Sequence, residues 1–254
     1  MSQAKVILDL ALNIARQAGE LLVNRPASWN LTTKSTAIDI ATQMDHASEK
    51  LIVEAILTAR PNDGIIGEEG ANRPGTSGLT WVIDPIDGTV NYFYGLAGWN
   101  ISIGVKDSQG MLVGVVHAPT IGSMWHATRG GGAFHNDVKI ECNDPVDLNK
   151  ALISTGFAYA LKDRANQIEI IDGLITKIRD IRRIGAAATD LCCVATGMVD
   201  GYIETGLMQW DLAAGALIAR EAGAVVTTTL WRGMELTVVA GPHLHQGLQA
   251  QIPE

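Results

Sequence analysis

The sequence lacks a long hydrophobic run, a cysteine-rich pattern and an excess of basic residues. Its longest apolar stretch, Ala213–Ala219, is stopped by Arg220, whereas a membrane helix needs about 18 residues or more, so we expect no membrane partner. The cysteines number 3, an odd count without metal-type spacing, which argues against a disulfide framework and favours the cytoplasm. The 19 Lys and Arg are outnumbered by 27 Asp and Glu, and the resulting charge of −8 argues against a nucleic-acid partner.

The composition is that of a folded protein with a large core. Hydrophobic residues make up 47% of the chain and charged residues 18%, a balance that excludes intrinsic disorder. The length of 254 residues allows one large domain or two closely packed halves. Near the N-terminus, Ile7, Ile14 and Ala18 share a helical spacing, which favours an amphipathic helix over a signal peptide.

Turn residues and apolar periodicity divide the chain into two halves near residues 143–148. In the first half we predict two helices and then an antiparallel sheet against which helices pack. The predicted elements of this half are a helix that ends near Arg25-Pro26, a helix over His46–Ala59, strands at Ile65-Ile66, Trp81–Asp84, Ile101–Val105, Leu112–Val116 and Met124–Ala127, and a hairpin turn at Asp107-Ser108-Gln109-Gly110.

In the second half, predicted strands and helices alternate along the chain. The strands are Leu152–Thr155, Val199–Glu204 and Ala224–Thr228, and the helices lie near Arg164–Arg179, Ala187–Thr196 and Leu212–Ala222. Alternation of this kind predicts an α/β arrangement. The predicted fold class is therefore α+β over about residues 1–145, followed by α/β over about 146–254, within a single domain of residues 1–254.

The most informative acidic residues follow the apolar segment Trp81-Val82-Ile83. The next six residues, Asp84-Pro85-Ile86-Asp87-Gly88-Thr89, combine two carboxylates with a proline and a glycine that enforce a turn. Two carboxylates on a rigid turn, beside backbone N–H groups at a helix start, can hold a cation and a phosphate together. The alternative is an ordinary turn with solvated aspartates, because Asp, Pro and Gly are common turn residues.

Three further acidic positions lie at the edges of predicted elements. Glu68-Glu69 ends an apolar strand, Asp45 precedes a helix, and Asp211 stands at the front of a strongly apolar helix. Asp45 and Asp211 could be helix N-caps, and Glu68-Glu69 a solvated strand end. Taken together, the carboxylates suit an all-oxygen site for hard cations, and the absence of Cys and His ligand spacing favours Mg²⁺ or Mn²⁺ over zinc. Two such ions can activate a water and stabilise a leaving oxygen.

Two long motifs occur in a fixed order along the chain. They are Trp81-Val82-Ile83-Asp84-Pro85-Ile86-Asp87-Gly88-Thr89 and Trp210-Asp211-Leu212-Ala213-Ala214-Gly215, accompanied by Lys34, Asp45, Gly67-Glu68-Glu69, Gly185-Ala186-Ala187-Ala188 and Val194-Ala195-Thr196-Gly197. In sequence and spacing these segments resemble the inositol monophosphatase family, over essentially the whole chain. The resemblance implies a magnesium-dependent, lithium-sensitive phosphomonoesterase with a layered αβαβα fold, of the inositol monophosphatase and fructose-1,6-bisphosphatase type. It also implies a single catalytic domain and a homodimer.

The resemblance further implies roles for individual residues. As metal ligands it implies Glu68, Asp84 and the carbonyl of Ile86 for a first Mg²⁺, Asp84, Asp87 and Asp211 for a second, and Glu69 beside a third, weaker ion. As catalytic residues it implies Glu68, Thr89 and Asp45, of which Asp45 and Thr89 orient the attacking water. As substrate-binding residues it implies Asp87, Gly88, Thr89, Gly185, Ala187, Glu204 and Asp211.

The leading substrate of this interpretation is myo-inositol 1-phosphate. Relatives with similar motifs act on histidinol phosphate, fructose 1,6-bisphosphate or 3′-phosphoadenosine 5′-phosphate, and these three remain alternatives. Glu204 favours a phosphorylated polyol, because a carboxylate accepts from vicinal hydroxyls and repels a second phosphate. An alternative of another class is a non-enzymatic, cation-binding scaffold, in which Thr89 and Asp45 have no chemical role.

Other segments are predicted to be structural. Thr227–Thr237 looks shorter than is usual in the family and is predicted to be a loop away from the metals, whereas Thr155–Arg164 borders the substrate. The glycine run after Arg129 is predicted to be a strand-connecting turn rather than a phosphate cradle, since it lacks the lysine of a P-loop. Structural or surface roles are predicted for His46, His117, His126, His135, His243 and His245, and core packing for Tyr92, Phe93, Tyr94 and Trp99.

Overall fold

The computed structural model describes residues 2–253, which contain seven α-helices and fifteen strands. The helices are α1 (Gln3–Val23), α2 (Gln43–Ala59), α3 (Thr89–Tyr94), α4 (Leu161–Ile175), α5 (Ala187–Ala195), α6 (Gln209–Glu221) and α7 (Pro242–Gln249). The strands are β1 (Leu31–Thr33), β2 (Ile40–Thr42), β3 (Gly64–Gly67), β4 (Asn72–Arg73), β5 (Thr80–Asp87), β6 (Asn100–Asp107), β7 (Gly110–Ala118), β8 (Ser123–Thr128), β9 (Gly132–His135), β10 (Val138–Ile140), β11 (Leu152–Thr155), β12 (Asp180–Arg182), β13 (Gly201–Thr205), β14 (Val225–Trp231) and β15 (Met234–Ala240).

Two large sheets organise these strands. The first has eight strands in the order β10-β9-β8-β7-β6-β5-β3-β4, and the second has five in the order β12-β11-β13-β15-β14. In the first sheet β3 and β5 are parallel and every other neighbouring pair is antiparallel. In the second sheet β11 is parallel to both of its neighbours, whereas β15 is antiparallel to both of its own. A separate two-stranded ribbon pairs β1 with β2.

Helices and sheets alternate in five layers. Helices α1 and α2 cover one face of the first sheet, and α5 and α6 lie between the two sheets. Helices α4 and α7 cover the far face of the second sheet, where Ile203 points outward while its neighbour Tyr202 points to the central layer. The predicted αβαβα layering is therefore confirmed. Within residues 2–253, no helix combines the length and hydrophobicity needed to cross a membrane.

The buried faces explain why these segments form helices and strands. In α1 the buried side chains recur every three or four residues, from Ile7 to Leu22, so the helix presents one apolar face to the first sheet. In β5 seven of the eight residues are buried, because the strand lies between helices on both of its faces. Each fully buried Leu or Ile contributes about 1.5–3 kcal/mol. The three cysteines, Cys142, Cys192 and Cys193, are free thiols, as predicted.

The structure differs from the predicted elements at several points. The first sheet is not wholly antiparallel, because β3 and β5 run parallel. The second half is only partly α/β, because β14 and β15 form an antiparallel hairpin. The predicted helix near Arg164–Arg179 begins at Leu161 and ends at Ile175. The short strands β1, β2, β4, β9, β10 and β12 were not predicted, since strands of two to four residues carry too few side chains to show an alternating pattern.

The predicted loop over Thr227–Thr237 is the clearest error. This segment forms most of β14 and the start of β15, joined at Arg232-Gly233 with φ values of 48° and 82°. Two positive φ values define the hairpin turn whose usual sequence is Asn-Gly or Asp-Gly. Because arginine occupies the first position, the sequence lacks the usual sign of a hairpin.

Candidate active site

A bend at the end of β5 positions Asp84 and Asp87. The register with β6 shifts between these two residues, so the strand bulges over Pro85 and re-aims the side chains that follow. Both carboxylates are buried, with 2% and 7% of their surface exposed. Gly88 then adopts a φ of 88°, and a Cβ there would lie 3.0 Å from Ala186 Cβ. Glycine therefore allows the bend to pack against the loop that precedes α5.

Asp45 lies on the first turn of α2, against the same bend. Its Oδ2 accepts a hydrogen bond from the Thr42 backbone at 2.8 Å and another from the Thr42 hydroxyl at 2.6 Å. Thr42 is thus the N-cap, and the alternative of Asp45 as a plain N-cap is wrong, because a capping box places the acid three residues into the helix. Asp45 Oδ1 lies 2.9 Å from the Thr89 hydroxyl, which is also 3.1 Å from the Ile86 carbonyl oxygen. Burial raises the pKa of Asp45, and hydrogen bonds from Thr42 and Thr89 oppose the rise.

Asp87 is held by the N-terminus of α5. Its two carboxylate oxygens accept backbone N–H groups of Ala187 at 3.0 Å and Ala188 at 2.7 Å. The Asn100 amide adds a third donor at 2.7 Å and is itself bonded to the Thr189 hydroxyl at 2.9 Å. Burial raises the pKa of Asp87 to about 6, although these three donors lower it. Asn100 and Thr189 were not predicted as site residues, because neither stands next to an acidic motif in the sequence.

Asp211 occupies the corresponding position on α6. Its Oδ2 accepts the backbone N–H of Met208 at 2.7 Å, so Asp211 is the third helical residue and the alternative of a plain N-cap is wrong here too. Burial, followed by the charge of Asp87, raises the pKa of Asp211 well above its usual value. The carboxylates of β5 and of α6 therefore repel one another across the site.

Glu68 is the remaining acid of the cluster, and Lys34 is the cation that pairs with it. Burial raises the pKa of Asp84 well above its usual value, and the charges of Glu68, Asp87 and Asp211 and a hydrogen bond with Glu68 add to the rise. Lys34 Nζ lies 2.8 Å from Glu68 Oε1 and also pairs with Glu69, which is the acid that the resemblance places beside a third ion. Burial would lower the pKa of Lys34, but these two acids outweigh it and raise the pKa.

A further buried acid, Glu49, supports the turn after β3. It accepts backbone N–H groups of Glu69 and Ala71, each at 2.9 Å. A Cβ on Gly67 would fall inside van der Waals contact of the same carboxylate. Glu49 thus fixes the backbone that presents Glu68. The sequence offers little sign of this role, since Glu49 appears as one polar residue within an amphipathic helix.

The predicted substrate-binding residues share one cavity. Its walls are formed by Asp87, Gly88, Gly156, Phe157, Tyr159, Arg183, Gly185, Ala186, Ala187, Asp190, Glu204, Leu207 and Asp211. Six of the seven predicted residues are among them, and the seventh, Thr89, lies behind Gly88 in contact with Asp45. Glu204 is buried and bonded to the Tyr202 hydroxyl, and burial raises the pKa of Glu204 to about 7.

The donor set suits a hard cation. The clustered acids offer only carboxylate oxygens, and they come from the turn after β3, from β5 and from α6. The charges of neighbouring acids raise the pKa values of Asp84, Asp87 and Asp211, so a cation among them would relieve the repulsion. As they stand, no three His, Cys, Asp or Glu side chains within residues 2–253 form a group that could hold a metal ion. The ligand roles of Glu68, Asp84, Ile86, Asp87 and Asp211 accordingly stay predictions.

Three structural assignments concern segments outside the cluster. The glycine run after Arg129 holds a carboxylate of this chain, since Gly130 and Gly132 each donate a backbone N–H to Glu221 at 2.8 Å. Tyr92 is fully buried and donates its hydroxyl to the Leu22 carbonyl, which fits the predicted core role. Tyr94, by contrast, is 71% exposed, so its predicted core role is wrong.

Comparison with known proteins points to one family. A family model described as the inositol monophosphatase family matches residues 3–252. Over 218 residues the chain is 40% identical to the inositol-1-monophosphatase SuhB of Mycobacterium tuberculosis, covering 82% of this chain and 75% of the relative. Over 225 residues it is 40% identical to the Nus factor SuhB of Pasteurella multocida, covering 87% and 84%. Its fold matches the crystal structure of the extragenic suppressor protein suhB of Bartonella henselae with a TM-score of 0.92 at 29% identity, over 98% of this chain and 99% of that one.

Proposed function

Because the chain belongs to the inositol monophosphatase family and is a phosphatase, we propose that it hydrolyses a small phosphorylated polyol, with myo-inositol 1-phosphate as the leading substrate. The carrying observation is that Asp87 and Asp211 line the same cavity as Glu204. The same cavity thus offers both acids for a cation and an acceptor for hydroxyl groups.

We further propose that Mg²⁺ or Mn²⁺ binds to Glu68, Asp84, Asp87, Asp211 and the carbonyl of Ile86, as two or three ions. Such ions supply positive charge that neutralises the phosphate dianion and makes the attacking water more acidic. No covalent nucleophile is then required. Lys34, which pairs with Glu68 and Glu69, adds a positive charge at the edge of the cluster.

The residues of the chain have three proposed tasks. Thr89 and Asp45, with Glu68, orient the attacking water, and Asp45 is suited to accept a proton through Thr89 because their oxygens are 2.9 Å apart. Gly88 and Thr89 offer backbone N–H groups to the phosphate. Gly185, Ala187 and Glu204 contact the hydroxyl-bearing part of the substrate.

The substrate proposal rests on charge. Glu204 is 9% exposed and belongs to an acidic cavity, which disfavours a second phosphate group such as that of fructose 1,6-bisphosphate or 3′-phosphoadenosine 5′-phosphate. Histidinol phosphate is the remaining alternative substrate. A purely structural, cation-binding role would leave the contact between Thr89 and Asp45 without a purpose.

The test measures phosphate release from inositol 1-phosphate, histidinol phosphate and the two bisphosphates, with Mg²⁺ and then with a chelator. We expect turnover of inositol 1-phosphate that chelation abolishes and that Asp87→Asn reduces by at least about 100-fold. The matched control is Asp107→Asn, an aspartate paired with Arg129 on the surface hairpin, which should keep wild-type turnover. Absence of turnover with every ester, in a protein that Mg²⁺ stabilises, would favour the scaffold alternative.

We also propose a homodimer, inhibition by lithium and a cytoplasmic location. Some relatives are named Nus factor SuhB and others inositol-1-monophosphatase. We still predict that the protein does not bind nucleic acid, because its net charge of −8 would repel the phosphate backbone.

A further inference from the structure

Tyr159 gives the cavity a hydrogen-bond donor to which the proposed reaction assigns no task. It lies in the segment between β11 and α4 and lines the same cavity as Asp87 and Asp211. The residue is 40% exposed, and its hydroxyl makes no hydrogen bond with any group of residues 2–253. A molecule in the cavity can therefore reach this hydroxyl and accept a hydrogen bond from it.

The segment that carries Tyr159 is fixed by side chains of α4. The Ala158 carbonyl oxygen accepts a hydrogen bond from Arg164 Nε at 2.7 Å. The Gly156 carbonyl oxygen accepts another from the Gln167 side-chain amide. Because the backbone is held at two positions shortly before Tyr159, the fold determines where the Tyr159 ring lies.

The acids that act on the Tyr159 hydroxyl are mostly those proposed to hold the metal ions. Partial burial raises the pKa of Tyr159, and four nearby carboxylates add to the rise, namely Asp39, Glu68, Asp87 and Asp211. The last three are proposed metal ligands. The hydroxyl thus faces the proposed ion site, and because its pKa is raised it stays protonated, and remains a donor, at neutral pH.

Arg183, the cation of the same wall, faces other acids. Burial raises the pKa of Glu204 and the charge of Arg183 opposes the rise, so the guanidinium lies near the acid proposed to bind hydroxyl groups. The guanidinium also lies over the Phe157 ring, 5.8 Å from its centroid. Tyr159, rather than Arg183, is therefore the donor that faces the acids proposed to bind the ions.

We propose that Tyr159 is a further catalytic residue, whose hydroxyl donates a hydrogen bond to a terminal oxygen of the substrate's phosphate group. The proposal rests on the proposed function, since it needs a phosphate ester beside the ions. Bound cations neutralise the phosphate oxygens that face them, and an oxygen turned away from them needs a donor from the protein. Among the wall residues within 2–253, Tyr159 is the one with a side-chain hydroxyl. Its hydrogen bond strengthens as charge on the phosphate oxygens shifts in the transition state.

The experiment removes only the hydroxyl, with Tyr159→Phe, and compares inositol 1-phosphate with cyclohexyl phosphate in the presence of Mg²⁺. Cyclohexyl phosphate has the same ring size and no further hydroxyl group. We expect kcat to fall about 10-fold for both esters, with KM within about threefold, because the hydroxyl contacts the phosphate that the two esters share. Tm should not change, since the hydroxyl has no partner within residues 2–253.

The matched control is Tyr94→Phe, which removes the hydroxyl of a tyrosine on α3 that is 71% exposed. It should keep the wild-type kcat and KM with both esters. Wild-type kcat in Tyr159→Phe would overturn the proposal. A fall in kcat confined to inositol 1-phosphate would overturn it as well, because the hydroxyl would then contact the alcohol. A fall in kcat accompanied by a lower Tm and unchanged phosphate binding would make Tyr159 a structural residue.

Binding of inorganic phosphate with Mg²⁺, measured by calorimetry, separates this proposal from the proposed reaction. We expect Tyr159→Phe to bind phosphate at least about threefold more weakly than the wild type and Tyr94→Phe. Weaker binding in Tyr159→Phe, in a protein that hydrolyses no ester, would overturn the reaction and leave the contact standing. Turnover of inositol 1-phosphate, with equal kcat and equal phosphate binding in wild type and Tyr159→Phe, would overturn the contact alone. A wild type that neither binds phosphate nor hydrolyses an ester would overturn both.

Discussion

Replacing Gly156 by alanine is the sharpest test of whether the position of Glu204 determines polyol recognition. Gly156 follows β11, and its backbone lies outside the left-handed region, so alanine introduces no strain in φ. A Cβ at this position would fall well inside van der Waals contact of all three carboxyl atoms of Glu204. The substitution therefore acts on the space that Glu204 occupies and leaves the carboxylates of β5 in place.

The size of the effect follows from how far Glu204 must move. Its carboxyl group has to retreat by roughly 1 Å or more to reach a normal separation of about 3.5 Å from the new methyl group. The side chain is not free to do so, because it is buried and bonded to the Tyr202 hydroxyl. Overpacking of this kind costs about 1–3 kcal/mol, which corresponds to a fall in Tm of several degrees for a chain of this length. A displaced contact of about 1 Å can reduce a rate by up to about 100-fold.

The assay measures kcat and KM with inositol 1-phosphate and with cyclohexyl phosphate, together with Tm. We expect kcat/KM for inositol 1-phosphate to fall about 10- to 100-fold, while cyclohexyl phosphate changes by less than about threefold. The matched control is Gly173→Ala within α4, where the new methyl group meets only the Gln251 carbonyl oxygen at 4.0 Å. That control should raise stability by about 0.5–1 kcal/mol and leave kinetics unchanged. Unchanged inositol phosphate kinetics in Gly156→Ala would refute the assigned position of Glu204.

Two further predictions concern stability. Asp63 accepts hydrogen bonds from Arg60 at 2.9 and 3.0 Å and from the Trp81 indole at 2.9 Å; burial alone would raise the pKa of Asp63, but these donors outweigh it and lower the pKa. The stabilisation by ionised Asp63 is thus present above the unfolded pKa of about 3.9 and is lost as pH falls through the lower folded pKa. We therefore expect Asp63→Asn to lower the free energy of unfolding, measured with urea, by about 2 kcal/mol at pH 7. The difference in this free energy between variant and wild type should disappear below about pH 4. A difference that stays constant with pH would contradict this prediction. The second prediction concerns Glu221, whose two carboxylate oxygens accept from Gly130 and Gly132. Glu221→Gln keeps one acceptor and removes the charge, so we expect the free energy of unfolding to fall by about 1 kcal/mol, with unchanged kcat and KM. Altered kcat or KM would mean that this turn affects the active site.

The acidic residues of the site could be predicted from the sequence, but the residues that hold them could not. Asp84 and Asp87 stand in one contiguous motif, whose apolar strand and turn residues are readable by composition. Asn100, by contrast, reaches Asp87 from the neighbouring strand, and Glu49 reaches the turn after β3 from α2. These contacts exist only because the sheet and the helix bring distant segments together, and no local pattern records that a polar side chain has such a partner.

The same limit applies to the fold. Long elements with a repeated apolar pattern were predicted close to their observed bounds, as for α2, which ends at Ala59. The hairpin at Arg232-Gly233 and the parallel pairing of β3 with β5 were not predicted. Whether two strands run parallel depends on which segments pair in the folded sheet, and a local sequence pattern does not record that pairing. The exact position of Asp45 and Asp211 within their helices could not be predicted either. An acid is favourable both at the N-cap and at the third helical residue, so the sequence alone does not distinguish the two positions.

The acids of the site differ in how many hydrogen-bond donors the fold provides to them, and this difference indicates which of them a cation would stabilise. Asp87 has three donors within 3.0 Å, and Asp45 has donors on both of its oxygens, so these two carboxylates are fixed by the fold itself. Asp84 and Asp211 each have a single backbone donor, Ile86 at 3.1 Å and Met208 at 2.7 Å, and the hydrogen bond of Asp84 with Glu68 raises the pKa of Asp84 rather than lowering it. Because Lys34 pairs with Glu68, the repulsion that the protein leaves uncompensated is concentrated on Asp84 and Asp211. A cation that bound there would gain from charges that the fold has already brought together, whereas Asp45 and Asp87 would keep their orientation whether or not the cation is bound.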